Sequence, residues 1–300
     1  MFLNKALLVK YAILAYDRIE TIEGLPRYQQ EVLDLTIWIA ILLGLVQGLC
    51  EFLPISSSGH LVLLHNIFGI EEGALFFTTM LHVGTLIAVF AVYWKEVWSM
   101  LRHPFSRKVG LLLTALVPTV VIALLFKDFF EDSYQGAWLG VGFLATAIIL
   151  TLCERLKPRK RKNLKEMRYT DALLIGAMQG VAILPGISRS GSTIAGGLFA
   201  GLERKTAADF SFLLSIPAIL GSVVLQVPDM ISGGVGEINW WFILAGMAAA
   251  ALSGYFAIRF MLMLLTRKSM KGFAIYVAIL GLLVILDQLV TNVFFTNPLV

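Results

Sequence analysis

The sequence predicts an all-α polytopic integral membrane protein with about six transmembrane helices and two broken re-entrant helical hairpins, arranged as an inverted-topology repeat. Of its 300 residues, 58% are hydrophobic and only 15% are charged, whereas about a quarter of the residues in a soluble domain are charged. Long apolar segments alternate with short charged ones, and two of the apolar segments are interrupted by Pro, Gly and Ser. Together, these patterns favour a membrane protein over a large soluble core.

Residues 1–34 are predicted to form an N-terminal extension. Charged residues interrupt the apolar start from Lys10 onward, and no clear small-residue cleavage site follows, so a secretory signal is not indicated. We expect an amphipathic helix on the membrane surface, followed by a charge-rich linker over 17–34. Residues 35–300 then form a single membrane-embedded domain.

Six apolar segments are long enough to cross a bilayer, which requires about 20 helical residues. They are 74–94, 110–127, 136–153, 207–227, 239–265 and 272–295. Residues 35–69 and 171–201 differ, because Pro and Gly interrupt each of them and leave halves too short to span alone. Irregular backbone at membrane depth is tolerated where protein or a wet cavity surrounds it. We therefore predict a re-entrant hairpin or a discontinuous helix at each.

The charges of the loops predict the topology. The loop 154–168 holds eight Lys or Arg against two Glu, and the loops 95–109 and 266–271 are also basic, which places all three in the cytoplasm. The acidic-leaning loops 127–135 and 228–238 are then outside. This order is consistent if the first broken segment opens outward and the second opens to the cytoplasm. Since the basic residues serve topology, we expect no nucleic-acid partner.

The two broken segments are related by an internal repeat. A shift of 132 residues aligns 44–69 with 176–201 without a gap, and 8 of the 26 positions are identical. Repeat one covers about 35–127 and repeat two about 171–265. Three spans separate the broken segments, and because three is odd, the repeats have inverted topology. Secondary transporters are built this way, with broken helices that hold a ligand near the midplane.

The shared Ser-x-Ser-Gly element predicts an anion site. Proline ends the first half-helix, and Ser with Gly suits the N-cap of the second half. Free N–H groups and a partial positive charge at a helix N-terminus favour phosphate or carboxylate, so two related N-termini can converge on one anion. The residues concerned are Ser56, Ser58, Gly59, Ser188, Ser190 and Gly191. Close packing of membrane helices also explains small residues, but it does not explain Arg189.

Arg189 and Glu51 are charged residues far from any predicted loop end. Ionisable residues at such depth are rare and usually functional. A guanidinium fits phosphate oxygens in a bidentate manner. The carboxylate of Glu51 can bind a divalent cation, orient a water or pair with Arg189. Gln47 lies one turn before Glu51 on the same helix face.

His60 follows Ser57 by three residues, so the two side chains can share one face if a helix begins there. This spacing permits a hydroxyl activated by an imidazole base, or an imidazole that attacks phosphorus itself. His65 and His82 have weaker claims, His82 as a mid-span residue able to hydrogen-bond across helices. The two cysteines offer neither a disulfide framework nor metal-ligand spacing.

The stretches GLVQGLCEFLPISSSGHL and LPGISRSGSTIAGG resemble the two signature regions of the undecaprenyl-diphosphate phosphatase family, also called the bacitracin-resistance protein family. The resemblance runs from about Asp34 to the C-terminus and includes 209–221 and 273–285. It implies an enzyme of the bacterial plasma (inner) membrane that hydrolyses undecaprenyl diphosphate to undecaprenyl phosphate and inorganic phosphate. This reaction recycles the lipid carrier for cell-wall synthesis. From the loop charges, we expect the active site to open toward the outer face.

The resemblance also assigns roles to residues of this chain. It implies a divalent cation, Mg²⁺ or Ca²⁺, held at Gln47 and Glu51, which match the family's Glu/Gln-x-x-x-Glu motif. It implies attack and proton transfer by Ser57 and His60, with phospho-histidine at His60 and a directly attacking water as open alternatives to the Ser57 nucleophile. Residues of repeat two would bind the diphosphate: Ser188, Arg189, Ser190 and Thr193.

Two other functions fit the same patterns. The inverted repeat also suits a flippase for the polyprenyl phosphate lipid, although a flippase has no evident need for a nucleophile and base. An ion-coupled anion transporter is the third hypothesis, and it predicts ion flux in liposomes without phosphate release. Membrane lipids surround the protein in every case. The sequence leaves the oligomeric state open, a homodimer included.

Overall fold

The computed structural model describes residues 27–68, 74–134, 136–155, 161–232, 240–267, 269–291 and 294–295. The chain falls into two compact units, Met1–Ile39 and Ala40–Val300. The described part of the first unit is helical from Arg27 onward, so residues 27–34, expected to belong to a linker, are part of a helix. The expected amphipathic helix of the N-terminal extension lies outside the described residues.

Twelve helices account for nearly all of the described chain. The first six are α1 (Arg27–Phe52), α2 (Ser57–Phe68), α3 (Ala74–Val92), α4 (Trp94–Arg102), α5 (Arg107–Leu125) and α6 (Lys127–Ser133). The next six are α7 (Leu139–Arg155), α8 (Tyr169–Val181), α9 (Arg189–Phe199), α10 (Arg204–Ser232), α11 (Trp240–Arg267) and α12 (Lys271–Leu286), followed by a π-helical turn (Asp287–Thr291). The described ranges contain no β-strand, only an isolated bridge between Lys162 and Leu202.

Each of the six long apolar segments lies on a helix: α3, α5, α7, α10, α11 and α12. By length and composition, four helices of the described chain can cross a membrane, and α3 with α4 makes a fifth if that bent pair is one span. In the most apolar stretch of α5, only 17% of the residues are buried inside the protein. Such exposure suits a helix that faces lipid. The prediction of an all-α polytopic membrane protein is confirmed for the described residues.

Two segments expected to be loops contain short helices. The chain bends by 86° between α3 and α4, so the basic stretch 95–109 is largely helical. Trp94 stacks on Trp98, and the guanidinium of Arg102 lies 5.0 Å from the Trp98 ring. A short helix with Trp beside basic residues suits the membrane interface. The acidic stretch 127–135 contains α6.

The interruption of both broken segments is confirmed. Helix α1 ends at Phe52 and α2 begins at Ser57, while α8 ends at Val181 and α9 begins at Arg189. Pro54 and Pro185 lie within the two breaks, where proline cannot donate a helical hydrogen bond. Ser56 has a φ of +70°, a left-handed conformation that is uncommon for a residue with a side chain. The chain therefore turns sharply just before α2.

Glycines allow the helices to approach closely. A Cβ on Gly176 in α8 would lie 1.8 Å from the Ala115 carbonyl oxygen of α5, and one on Gly44 in α1 would lie 2.2 Å from the Gly246 carbonyl oxygen of α11. Lipid gives little hydrophobic drive for helix association, so such backbone contacts are a main source of packing energy in membranes. The framework around the two breaks therefore depends on small residues.

Gly176→Ala tests this packing. The added methyl group must displace the α5 backbone, and we expect the free energy of unfolding to fall by about 1–3 kcal/mol. Thermal unfolding of the detergent-purified protein measures the change. Gly221→Ala is the matched control, because nothing lies within 4 Å of a Cβ at Gly221, and better helix propensity should raise stability by up to about 1 kcal/mol. Equal melting temperatures for the two variants would contradict the proposed packing role.

Candidate active site

The two broken segments contact each other at their breaks. The hydroxyl of Ser190 donates to the carbonyl oxygen of Leu53 at 3.0 Å. The hydroxyl of Ser56 lies 3.4 Å from the carbonyl oxygen of Ile187, to which it donates. Each bond joins one broken segment to the other close to the start of a second half-helix, so the N-termini of α2 and α9 lie near each other.

The Ser-x-Ser-Gly element caps both of these helices. The Ser56 hydroxyl accepts from the Gly59 N–H at 3.2 Å, and the Ser188 hydroxyl accepts from the Gly191 N–H at 3.1 Å. In each element the second serine approaches the first, Ser58 at 3.4 Å and Ser190 at 3.3 Å between the hydroxyl oxygens. The predicted N-caps are confirmed, and a side-chain cap of this kind typically contributes about 1 kcal/mol.

The carboxylate of Glu51 gathers the polar groups of the site. Arg189 Nη2 lies 2.5 Å from Oε1. On the other oxygen, Oε2, Ser57 Oγ donates at 2.5 Å and Gln47 Nε2 donates at 3.1 Å. Nε2 of His82, from α3, lies 3.7 Å from the same oxygen. Only 5% of the Glu51 side chain is exposed, so these groups replace the water that a carboxylate normally requires.

Hydrogen bonds to two different helices, α1 and α10, hold the Arg189 side chain in place. Besides Glu51, its guanidinium donates through Nη1 to the Ser211 carbonyl oxygen of α10 at 3.4 Å. The Thr193 hydroxyl donates to the Arg189 carbonyl oxygen at 2.9 Å, and the Thr193 and Ser211 hydroxyls lie 2.5 Å apart. An arginine has five N–H donors, so these contacts leave donors for an anion.

His60 does not form the expected pair with Ser57. Its Nδ1 lies 2.7 Å from the Ser56 carbonyl oxygen and its Nε2 lies 2.8 Å from the Tyr276 hydroxyl. A carbonyl oxygen can only accept, so Nδ1 carries the proton and neutral Nε2 accepts from Tyr276. Ser57 turns back toward the end of α1 and donates to Glu51. The carboxylate, not the imidazole, is therefore the base within reach of the Ser57 hydroxyl.

Three contributors to the site were not predicted as site residues: His82, Ser211 and Tyr276. Each comes from a helix outside the two repeat motifs. The ring of Tyr276 stacks on His60 with centroids 5.7 Å apart, and the Phe143 ring meets the His60 ring edge-on. The sequence carried one signal, a histidine in the middle of an apolar span, but it gave no indication of which helix faces Glu51.

The described site offers a divalent cation one carboxylate, that of Glu51, and one amide oxygen, that of Gln47. Among the described residues, no group of three or more His, Cys, Asp or Glu is placed to hold a metal. Gln47, however, is fully buried, and its Oε1 has no hydrogen-bond partner among the described atoms. One carboxylate and one amide oxygen suit Mg²⁺ or Ca²⁺ when phosphate oxygens and water complete the coordination.

Comparison with known proteins places the chain in a family. Residues 40–283 match the family described as bacitracin resistance protein BacA. Undecaprenyl-diphosphatase 3 of Bacillus cereus is 47% identical over 259 residues, which cover 86% of this chain and 99% of the relative. The undecaprenyl-diphosphatase of Carboxydothermus hydrogenoformans is 47% identical over 252 residues, 83% of this chain and 96% of the relative. That of Alkaliphilus metalliredigens is 42% identical over 275 residues, 85% and 100% respectively.

Glu51→Gln tests the buried ion pair. The change leaves the Arg189 guanidinium, whose side chain is 17% exposed, without its counter-charge, and we expect the free energy of unfolding to fall by about 3–5 kcal/mol. The double variant Glu51→Gln/Arg189→Gln should recover much of this loss, because neither charge remains. Thermal unfolding in detergent measures both variants.

The exposed pair between Lys127 and Glu131 provides the control. Its side chains are 65% and 62% exposed, so Glu131→Gln should change stability by less than about 1 kcal/mol. A Glu51→Gln variant as stable as Glu131→Gln would show that the buried pair does not support the fold. A double variant less stable than either single variant would do the same.

Proposed function

The chain belongs to the bacitracin resistance protein BacA family, and we propose that it hydrolyses undecaprenyl diphosphate to undecaprenyl phosphate and inorganic phosphate. The observation that supports this most directly is the cluster of Ser57, Glu51 and Arg189 at the junction of two helix N-termini. It combines a hydroxyl, a carboxylate within hydrogen-bonding distance and a permanent positive charge. Those are the groups required to bind a phosphate and attack it.

The N-termini of α2 and α9 and the guanidinium of Arg189 bind the diphosphate. Phosphoryl transfer places charge on the non-bridging oxygens, and most of its catalysis comes from positioning and charge stabilisation. Hydrogen bonds to Glu51 and to the Ser211 carbonyl oxygen fix the Arg189 guanidinium. The guanidinium therefore needs little reorganisation when the diphosphate binds. The serine caps at Ser56 and Ser188 fix the directions of both helices.

Ser57 is the favoured nucleophile. Its oxygen attacks the terminal phosphorus, the proton passes to Glu51 Oε2, and the new Oγ–P bond replaces the bond from phosphorus to the bridging oxygen. Undecaprenyl phosphate leaves with that electron pair. Water then attacks the phosphoserine, a proton returns to Ser57, and inorganic phosphate is released. The 2.5 Å contact between Ser57 and Glu51 supports this assignment over direct attack by His60, whose nitrogens are engaged.

Gln47 and Glu51 would hold a divalent cation, Mg²⁺ or Ca²⁺, which would neutralise phosphate charge. His60 orients the break, because it bonds the Ser56 carbonyl and the Tyr276 hydroxyl at once. That double contact ties the left-handed turn at Ser56 to α12. The His60 contacts therefore help to position Ser57, the residue immediately after the turn.

The enzyme lies in the bacterial inner membrane as an inverted repeat, and its site opens to the outer face. Two features support the repeat. Gly44 and Gly176, which are 132 residues apart, both contact a neighbouring helix backbone. The caps Ser56–Gly59 and Ser188–Gly191 share that spacing. The lipid tail stays among the membrane helices, and the diphosphate enters sideways from the outer leaflet. A flippase would not require the contact between the Ser57 hydroxyl and the Glu51 carboxylate.

Phosphate release from undecaprenyl diphosphate by the detergent-purified protein tests the function. We expect release with Mg²⁺ or Ca²⁺ and its loss with a chelator. Ser57→Ala and Arg189→Ala should each lower kcat by at least about a hundredfold, because one removes the nucleophile and the other removes charge stabilisation. Ser106→Ala is the control, since Ser106 precedes α5 and makes no side-chain cap.

Either of two results would overturn parts of this proposal. If the folded wild-type protein released no phosphate, the enzymatic function would be contradicted and the flippase hypothesis would be favoured. Near-normal turnover by Ser57→Ala with loss in Arg189→Ala would instead keep the phosphatase and make a water the nucleophile.

Single-cysteine labelling tests the topology. Glu131→Cys on α6 and Arg161→Cys in the basic loop place thiols at exposed positions, and the native Cys50 and Cys153 are buried, so the wild type provides the unlabelled background. An impermeant maleimide added to intact cells should label Glu131→Cys alone, whereas permeabilised cells should label both. Labelling of both sites in intact cells would contradict the inverted arrangement.

A further inference from the structure

The second break, residues 182–188 between α8 and α9, is held by a threonine that the proposed mechanism does not use. The hydroxyl of Thr146, from the middle of α7, donates to the carbonyl oxygen of Gly186 at 2.8 Å and accepts from the N–H of Ser188 at 2.9 Å. Thr146 and Ser188 are only 2% and 1% exposed, so neither bond is open to water. One side chain therefore fixes the backbone on both sides of Ile187.

This use of the hydroxyl differs from the usual one for a threonine inside a helix. Such a hydroxyl commonly donates to a carbonyl oxygen of its own helix, as Thr151 of α7 does to Ala147 at 2.7 Å. The Thr146 hydroxyl instead makes both of its described hydrogen bonds to another segment. It therefore stabilises the second break and not α7 itself.

The backbone of the second break requires this support. Gly186 has a φ of +89°, in the left-handed region that glycine adopts most readily. A Cβ at Gly186 would lie 2.6 Å from the Leu139 carbonyl oxygen. A Cβ at Gly142 would lie 2.2 Å from the Pro185 carbonyl oxygen, so the break lies directly against α7. Close packing sets the distance between the two segments, and Thr146 sets the direction in which the chain leaves the turn.

The residues that Thr146 holds lead directly into the anion-binding end of α9. Ser188 is the N-cap, whose hydroxyl accepts from the Gly191 N–H, and Arg189 is the first helical residue. The backbone N–H of Ser188 is thus bound to α7 at the residue whose side chain caps α9. The free N–H groups of a helix lie in its first turn, so a shift of the N-cap would move those donors and the Arg189 side chain together.

The first break has an equivalent support on a related helix. Helix α7 begins at Leu139 and α12 begins at Lys271, 132 residues later, which is the spacing of the proposed repeat. Helix α12 supplies Tyr276, whose hydroxyl bonds to His60, which in turn bonds to the Ser56 carbonyl oxygen. Helix α7 follows repeat one and holds the break of repeat two, whereas α12 follows repeat two and holds the break of repeat one. This correspondence favours a role for both supports in the site over packing alone.

We propose that Thr146 is a positioning residue for the phosphate site, and that its hydroxyl holds the second break so that Arg189 and the N-terminus of α9 face the diphosphate. This inference rests on the proposed function, because it assigns Thr146 a role in that reaction. Thr146 acts through the backbone and not on the substrate, since its hydroxyl is already engaged as donor and as acceptor. Its importance follows from the geometry of phosphoryl transfer, where a misplacement of about 1 Å can cost about a hundredfold in rate.

Thr146→Val tests the proposal, because valine keeps the shape of the side chain and removes the hydroxyl. In phosphate release from undecaprenyl diphosphate by the folded, detergent-purified protein, we expect kcat to fall by at least about tenfold and KM to change by less than about threefold. The stabilisation that is lost is greatest in the transition state. Thr146→Ser keeps the hydroxyl and should retain most of kcat. Thr151→Val is the matched control, because the Thr151 hydroxyl bonds within α7, and it should retain kcat as well.

Two further measurements separate positioning from a general loss of structure. Hydrogen–deuterium exchange over 184–191 should be faster in Thr146→Val than in the wild type, because the Ser188 N–H loses its acceptor, whereas exchange in α11 should not change. In a double-mutant cycle, Thr146→Val should lower kcat by a smaller factor in an Arg189→Lys background than in the wild type. Lysine is a flexible point charge, so it depends less on the position of the backbone.

The inference fails if Thr146→Val keeps the wild-type kcat, or if Thr146→Ser loses as much kcat as Thr146→Val. It also fails if Thr146→Val lowers kcat by the same factor in both backgrounds. Hydrogen exchange does not depend on activity, so the two proposals can fail separately. Unchanged exchange over 184–191 in Thr146→Val would overturn the positioning role alone, whereas a wild type that releases no phosphate would overturn the proposed function and this role with it.

Discussion

The structure depends on one buried ion pair, between Glu51 of the first broken segment and Arg189 of the second. Neither buried charge is stable alone, because the cost of an uncompensated ion in a medium of low polarity is several kcal/mol. Each therefore requires the other, and the two breaks must meet for the pair to form. The pair joins the two segments that carry the site and places its anionic and cationic groups 2.5 Å apart.

The two oxygens of Glu51 divide the contacts between the segments. Oε1 faces Arg189, whereas Oε2 faces Ser57, Gln47 and His82. This division explains how one carboxylate can both balance a permanent positive charge and act on a hydroxyl. It also explains why small residues surround the site: the helices that supply these groups must approach closely, as Gly44 does at Gly246, for their side chains to reach one carboxylate.

The sequence was sufficient to predict the features that local chemistry determines. Proline, serine and glycine specify a helix break and an N-cap within a few residues, so both breaks and the caps at Ser56 and Ser188 were predictable. Contacts between distant helices were not. Ser57 and His60 share a spacing that permits contact, but the turn at Ser56, with its φ of +70°, directs Ser57 toward Glu51 and His60 toward Tyr276. The spacing left that choice open.

The same reasoning shows why a polar residue in an apolar span is informative even without a motif. A histidine in the middle of α3 can satisfy one nitrogen within its own helix, as His82 does at the Thr78 carbonyl. The second nitrogen then requires a partner from elsewhere, since an apolar membrane interior offers none. Such a residue therefore points to a polar group on a neighbouring helix. In this protein that group is Glu51, the carboxylate on which the ion pair, the Ser57 hydroxyl and the proposed cation converge.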